Sequence, residues 1–209
     1  MLPDIAQLLI FITAGLALNI TPGVDMMYCL GQGLRSGPKA GIAASFGIAT
    51  GGLIHTLLAA FGLAALLAAY PLAFELVRWI GVAYLVYLAI QSFRLPFSAR
   101  ADEIHRQNGA FIAWRDGVVV NLFNPKVAIF ILAFIPQFID ANKGSEIWQF
   151  IALGIIFNFT GTLVNALVGG FSGSIGAVLK ANRKLANVFQ WVSGTIFFGL
   201  ALKLAIERK

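Results

Sequence analysis

The sequence is short of charge and of cysteine. Only 11% of its 209 residues are charged and 59% are hydrophobic, whereas soluble domains have about 25% charged and about 45–50% apolar residues. A water-soluble domain of ordinary composition is therefore excluded. The single cysteine, Cys29, excludes an internal disulfide and a dithiol exchange reaction, both of which need a pair.

Motifs of catalysis and of ATP use are missing as well. No Walker A motif occurs, so ATP-driven pumping by this chain alone is not expected. An intramembrane protease needs a serine with a histidine, paired aspartates or H-E-x-x-H, but the apolar runs hold one histidine and one deeply placed aspartate. We expect neither an enzyme nor a cofactor. We interpret the net charge of +6 as a result of membrane topology and not of nucleic acid binding.

The sequence is rich in apolar runs of about 20 residues or more, each long enough to cross a hydrocarbon core of about 30 Å. The runs are apolar on every face, whereas the strands of a membrane barrel alternate in polarity. We predict an all-α integral membrane protein with six spans. The predicted spans are residues 5–30, 41–69, 72–93, 111–138, 147–170 and 186–206.

The lysine and arginine residues indicate an orientation in the membrane. Most of them fall in the first, third and fifth links between the predicted spans. Cytoplasmic links carry an excess of lysine and arginine. We therefore expect both termini to lie on the side of the membrane opposite the cytoplasm.

The chain divides into two similar halves within one membrane domain. We predict a first three-helix repeat over 1–93, a cytoplasmic linker over 94–110 and a second three-helix repeat over 111–209. Because each half has an odd number of spans, the two halves insert with opposite orientation. This inverted repeat is the plan of many secondary transporters.

Two prolines interrupt the first and fourth spans, in the stretches N-I-T-P-G-V-D and N-L-F-N-P-K. Pro125 lies 103 residues after Pro22, and the same shift brings Gly51 onto Gly154. Thr21 and Asn124 precede these prolines and are typical of a capping residue followed by proline at the first helical position. We predict that helices 1 and 4 are broken at the prolines. The helix starts then have backbone N–H groups for which lipid offers no partner.

Two charged residues follow the breaks. The helix starts and Lys126 favour a carboxylate, while Asp25 favours an ammonium group, so the site suits an amino acid zwitterion. A charge at mid-bilayer costs at least about 2.5–3.5 kcal/mol and is rarely without function, and Asp25 is the natural proton carrier. In an alternative interpretation, Asp25 and Lys126 pair only with each other and hold the bundle closed.

The predicted site residues come from both breaks and from the second span. The predicted substrate-binding residues are Asn19, Thr21, Pro22, Gly23, Asn121, Asn124, Pro125 and Lys126. The predicted proton-coupling residues are Asp25 and His55, although a histidine of this kind more often hydrogen-bonds a neighbouring helix. Asn158 and Asn165 are more typical of hydrogen bonds between helices.

The two break motifs resemble those of the LysE/RhtB family of amino acid exporters, the LysE-type translocators. The first family motif is matched at Asn19 and Thr21–Gly23, and the second at 124–126, Phe130 and 136–138. The chain departs from the family at Val24, where a second proline is common. The resemblance implies proton-driven export of amino acids or close derivatives through a bacterial inner membrane.

The substrate and the assembly are less constrained. A basic substrate would be favoured by a second intramembrane acid, so neutral substrates such as homoserine, threonine or leucine are expected. The alternative function is an ion channel or a divalent-cation exporter of the same superfamily, but two histidines and few buried acids make a poor metal cage, and no metal site is predicted. Stripes of small residues would allow a homodimer.

Overall fold

The computed structural model of the protein describes residues 3–69, 71–94, 109–174 and 183–206, and over these ranges it contains helices and no strands. The α-helices are α1 (Ile5–Ile20), α2 (Val24–Ser36), α3 (Pro38–Ala69), α4 (Pro71–Arg94), α5 (Ala110–Leu122), α6 (Pro125–Phe134), α7 (Glu146–Gly170) and α8 (Arg183–Ile206). Two 3-10 helices, Ile135–Phe138 and Ala141–Lys143, lie between α6 and α7. The predicted all-α class is confirmed for this part of the chain.

Two to four of the predicted spans meet a test of length and composition. The Pro38–Gly62 part of α3 and the whole of α7 are long and apolar enough to cross a membrane. α1 with α2, and α5 with the segment Pro125–Phe138, pass the same test as bent pairs. α4 and α8 contain shorter apolar stretches, Trp79–Gln91 and Phe197–Ile206. The six-span inverted repeat stays a prediction.

Both predicted breaks are present. α1 and α2 meet at an angle of 50° across residues 21–23, and α5 and the segment from Pro125 meet at 54° across residues 123–124. Asn124 caps α6, with Pro125 at the first helical position, as predicted. At both places the chain has helices on either side of a short non-helical segment.

The prediction for the first break was wrong in detail. The N-cap of α2 is Gly23, so Pro22 lies before the helix and not at its first position. The Thr21 hydroxyl donates to Ala17 O at 2.7 Å and does not cap α2. Threonine can donate to the carbonyl four residues before it as readily as it accepts from a helix start, and here this bond completes the last turn of α1.

The links differ in length from the prediction. α2 and α3 are separated by Gly37 alone, which has a φ of +87°, a conformation that glycine adopts without strain. Most of the predicted linker 94–110, namely residues 95–108, lies outside the described residues. α4 ends at Arg94 and α5 begins at Ala110.

The helices pack through glycine on one side of the breaks. α3 packs along α5 and α7, and α2 contacts all three. The backbones of Gly41 and Gly169 touch, and a Cβ at Gly33 or at Gly47 would overlap the carbonyl of Gly169 or of Trp114 respectively. Such approaches need residues without a side chain, and they are common between membrane helices.

Phenylalanine fills the other side of the breaks. Phe11 of α1 packs with its ring centroid 5.2 Å from that of Phe138, and Phe130 and Phe134 stack at 4.8 Å. Phe157 of α7 lies 4.6 Å from Phe130. All five rings are buried, so this aromatic cluster holds α1, α6 and α7 together.

Candidate functional site

The two breaks lie against each other in the structure. Lys126, the second residue of α6, donates from Nζ to Thr21 O at 2.8 Å. A Cβ added to Gly23 would lie 3.0 Å from the same Nζ. Thr21 is buried. The ammonium group of the second break is therefore placed at the start of α2, in the first break.

Asp25 is the acidic group of the site. It lies in the first turn of α2, where the helix dipole favours a negative charge, and it is only 9% exposed. Its Oδ2 accepts from Asn121 Nδ2 at 2.8 Å. Asn121 lies near the end of α5 and is 1% exposed. This bond joins the two halves of the chain across 96 positions.

Asn124 completes the second break. Its Oδ1 accepts from the backbone N–H of Lys126 at 3.0 Å, and the side chain is 3% exposed. The Asn124 side chain faces the Asp25 carboxylate, and Lys126 and His55 lie near enough to it to interact electrostatically. The arrangement brings together one buried acid, two buried carboxamides and the half-buried ammonium group of Lys126.

Three polar atoms of this cluster have no hydrogen-bond partner among the residues that the structure describes. They are Asp25 Oδ1, Asn121 Oδ1 and Asn124 Nδ2. A buried polar atom without a partner costs about 1–3 kcal/mol, and such atoms are rare away from places where water or a ligand binds. The site thus offers two acceptors and one donor to a polar ligand.

α3 supports the cluster from the side. His55 Nε2 lies 3.2 Å from Asn121 O, within hydrogen-bond distance. His55 therefore makes the contact with a neighbouring helix that is usual for such a histidine. Because Asn121 also bonds Asp25, this contact connects His55 to Asp25. Gly51, one turn earlier, leaves no room for a side chain, because its Cβ would lie 2.7 Å from Asn121 Oδ1.

Asn19 lies apart from this cluster. Its Nδ2 donates to Phe157 O at 3.2 Å and to Thr160 Oγ1 at 3.0 Å, so it ties α1 to α7. Its Oδ1 is also the atom that a Cβ at Gly161 would meet. The structure brings the other predicted site residues to the junction of the breaks, with Pro22 and Pro125 contributing backbone geometry and Gly23 space for Lys126.

Sequence reasoning missed the part played by Gly51. The shift of 103 positions pairs this residue with Gly154 but does not by itself place it in the site. That shift was a usable signal, since both glycines face polar side chains of another helix: Asn121 opposite Gly51, and Thr56 opposite Gly154. The predicted contact between helices through Asn158 is confirmed, because its Nδ2 donates to Ala49 O at 2.8 Å.

Comparison with known proteins shows similarity over almost the whole chain. The family model described as LysE type translocator matches residues 16–208. An uncharacterized membrane protein of Vibrio cholerae serotype O1 is 32% identical over 215 aligned residues, which cover 98% of this chain and 99% of the relative. The uncharacterized membrane protein YrhP of Bacillus subtilis is 29% identical, with 96% and 99% covered.

A third relative has a named activity. The homoserine/homoserine lactone efflux protein of Salmonella typhimurium is 27% identical over 191 aligned residues, which cover 91% of this chain and 92% of the relative. No solved structure matches the chain.

Proposed function

Because the chain belongs to the family of LysE type translocators, we propose that it is a secondary transporter that exports neutral amino acids or their close derivatives in exchange for protons. One observation carries the proposal. Asp25 follows one break, Lys126 follows the other, and the two breaks meet around three buried polar atoms without partners. Intramembrane charges that are kept at such cost mark substrate and proton pathways.

The acidic side of the site suits the ammonium group of the substrate. Asp25 Oδ1 is buried and has no partner within the described residues, while Oδ2 is held by Asn121. An ammonium group at Oδ1 would form a charge-assisted hydrogen bond, which is stronger than a neutral one. The bond to Asn121 fixes the carboxylate so that Oδ1 points to the substrate.

The start of α2 suits the carboxylate or another acyl oxygen of the substrate. Its N-cap residue, Gly23, has no side chain with which to cap the helix, so the first N–H groups remain for a ligand. Lys126 Nζ lies beside Gly23, and Asn124 Nδ2 provides a further donor. Homoserine and its lactone, which the Salmonella relative's name specifies, share the ammonium group and an acyl oxygen.

Competition at Asp25 would couple the substrate to protons. The carboxylate can hold either a proton or the substrate ammonium, so protonation from the outside displaces the substrate and loss of the proton inside restores its site. His55 contacts Asn121, which holds Asp25, and we assign both Asp25 and His55 to proton coupling. Asn19 supports the site through its contact with α7.

The proposal includes the wider arrangement predicted from the sequence. The two halves form inverted repeats in a bacterial inner membrane, with both termini on the periplasmic side. Alternating access would follow from rocking of one repeat against the other around the central site.

A transport assay with the purified full chain in liposomes tests the function. Liposomes loaded with L-homoserine, threonine or leucine are diluted into labelled substrate, with and without an imposed proton gradient. The proposal predicts counterflow of at least one neutral amino acid, acceleration by the gradient and proton movement in the opposite direction. Flux of divalent cations would instead indicate a divalent-cation exporter, and an ionic current without substrate exchange would indicate a channel. Either result would contradict the proposal.

A further inference from the structure

A second buried polar side chain lies on the same helix face as Asp25. Gln32 follows it by seven residues on α2, which is about two turns, so both side chains share one face about 10 Å apart. Gln32 is 1% exposed, and its Oε1 has no hydrogen-bond partner within the described ranges. Its Oε1 is therefore an unsatisfied acceptor that the central site does not use.

The residues between Asp25 and Gln32 continue this face. Tyr28 and Cys29 are buried, at 4% and 0% exposure. The Tyr28 hydroxyl donates to Ala113 O of α5 at 2.9 Å, and the Gln32 amide lies beside that hydroxyl. The face from Asp25 to Gln32 is thus closed by contact between α2 and α5, with two side-chain hydrogen bonds between these helices, from Asn121 to Asp25 and from Tyr28 to Ala113 O.

The other buried amides without a full set of partners are less suited to the substrate. Gln137 donates from Nε2 to Ala133 O in its own helical segment, at 3.4 Å, and lies between Phe134 and Phe138 of the aromatic cluster. Asn165 lies on α7 and not on the helix that carries Asp25. Only Gln32 lies on the helix that starts at the central site and ends at the Gly37 turn.

We propose that Gln32 is a second polar binding position on the route of the substrate, between the Asp25 site and the membrane face at the Gly37 turn. The proposal rests on the proposed transport function. When α2 and α5 separate, the Gln32 amide can donate to the acyl oxygen of an amino acid and accept from its ammonium group. A substrate that leaves bulk water for the central site then never crosses the intervening apolar stretch without a hydrogen-bond partner.

The replacement Gln32→Met separates this role from packing, because it keeps the length of the side chain and removes the amide. We expect the maximal rate of L-homoserine counterflow to fall about threefold to tenfold, the effect of one neutral hydrogen bond. Equilibrium binding of labelled L-homoserine to the purified protein should change less than about twofold, because the central site is intact. The unfolding temperature should not fall, because the unsatisfied Oε1 has been removed and the Tyr28 hydroxyl keeps its bond to Ala113 O.

A matched variant and a conservative one complete the experiment. Met27→Leu, on the opposite face of α2 and also buried, should leave rate, binding and stability unchanged. Gln32→Glu, which keeps an oxygen at the same place, should retain more of the rate than Gln32→Met. A normal rate in Gln32→Met, or a slow rate accompanied by a lower unfolding temperature, would overturn the inference alone. A wild-type protein that neither binds nor transports amino acids would overturn the proposed function and this inference with it.

Discussion

The two breaks produce nearly the same bend with different chemistry. The first bends the chain by 50° and the second by 54°. The first runs over three residues and its new helix begins after Gly23, whereas the second runs over two and its new helix is capped by Asn124. The start of α6 is capped by the side chain of Asn124. The start of α2 has no side-chain cap, and Lys126 lies beside it. We infer that the first break receives the substrate acyl group and carries the Asp25 carboxylate, while the second break supplies Lys126 and Asn124.

Neutralising Asp25 should break this division of roles most completely. Asp25→Asn removes the proposed acceptor for the ammonium group and the proposed proton carrier together. Loss of a hydrogen bond to a charged group costs about 1.5–3 kcal/mol, so we expect homoserine affinity to fall about tenfold to a hundredfold. Transport should also lose its acceleration by a proton gradient. Binding of labelled homoserine measures the affinity, and counterflow at several external pH values measures the acceleration by protons.

The control for this change is Asp116→Asn. Asp116 forms an ion pair with Arg115 at 2.7 Å on a half-exposed surface, and surface pairs contribute about 0–1 kcal/mol. We expect binding and pH dependence to be unchanged. Gradient-driven transport that persists at the wild-type rate in Asp25→Asn would contradict the role of that residue.

The next largest effect is expected when the connection between the breaks is cut. Lys126→Met removes the donor to Thr21 O and the positive charge beside Gly23. We expect a loss of about 1.5–3 kcal/mol in stability, because the buried carbonyl loses a charged donor, and a loss of affinity for carboxylate substrates. Thermal unfolding in detergent and homoserine binding measure the two effects.

Lys143→Met serves as the comparison for the lysine. Lys143 Nζ joins Asp4 Oδ1 at 2.8 Å, and this hydrogen bond raises the pKa of Lys143. Because a raised lysine pKa keeps the pair intact below it, the pair should persist throughout an assay between about pH 5 and pH 9. We expect Lys143→Met to leave the pH profile of transport unchanged. An effect equal to that of Lys126→Met would contradict the assignment of Lys126, and not Lys143, to the site.

Substitution of the two residues before the prolines should sharpen the difference between a capped and an uncapped start. Asn124→Ala should destabilise the protein by about 0.5–2 kcal/mol, the usual cost of a lost N-cap, and should weaken homoserine binding. Thr21→Val should cost less, since its hydroxyl donates to a carbonyl of α1 that can keep its backbone partner. Equal losses of stability in the two variants would show that the breaks are chemically alike.

The smallest effect on transport is expected at Asn19. Asn19→Ala removes two hydrogen bonds between α1 and α7, each of which is worth about 0.5–1.5 kcal/mol. We expect a lower unfolding temperature and an unchanged affinity for homoserine. A selective loss of affinity at normal stability would return Asn19 to the binding residues predicted from the sequence.

The positions of the breaks could be predicted from the sequence because proline and glycine act locally. Proline lacks the N–H that a helix interior needs, so Pro22 and Pro125 identified the two interruptions in otherwise apolar runs. The positions of the two prolines in the two halves also predicted that the breaks form one site, with Asp25 near Lys126. These inferences need no knowledge of the packing.

The direction of individual side chains could not be predicted in the same way. Thr21 and Asn124 occupy equivalent places before a proline, yet one donates to the preceding helix and the other caps the following one. The choice depends on local backbone angles, which a residue type does not fix. Asn19 belongs to the break motif in the sequence, but the helical rotation of α1 turns it toward α7.

The most direct test of the account compares homoserine with N-acetylhomoserine in binding to the purified wild-type protein and to Asp25→Asn. If the Asp25 carboxylate receives the substrate ammonium, acetylation should lower the affinity of the wild type at least about tenfold and that of the variant less than about twofold. An equal loss in both proteins would contradict the assignment of Asp25 to the ammonium group, and with it the site formed by the two breaks.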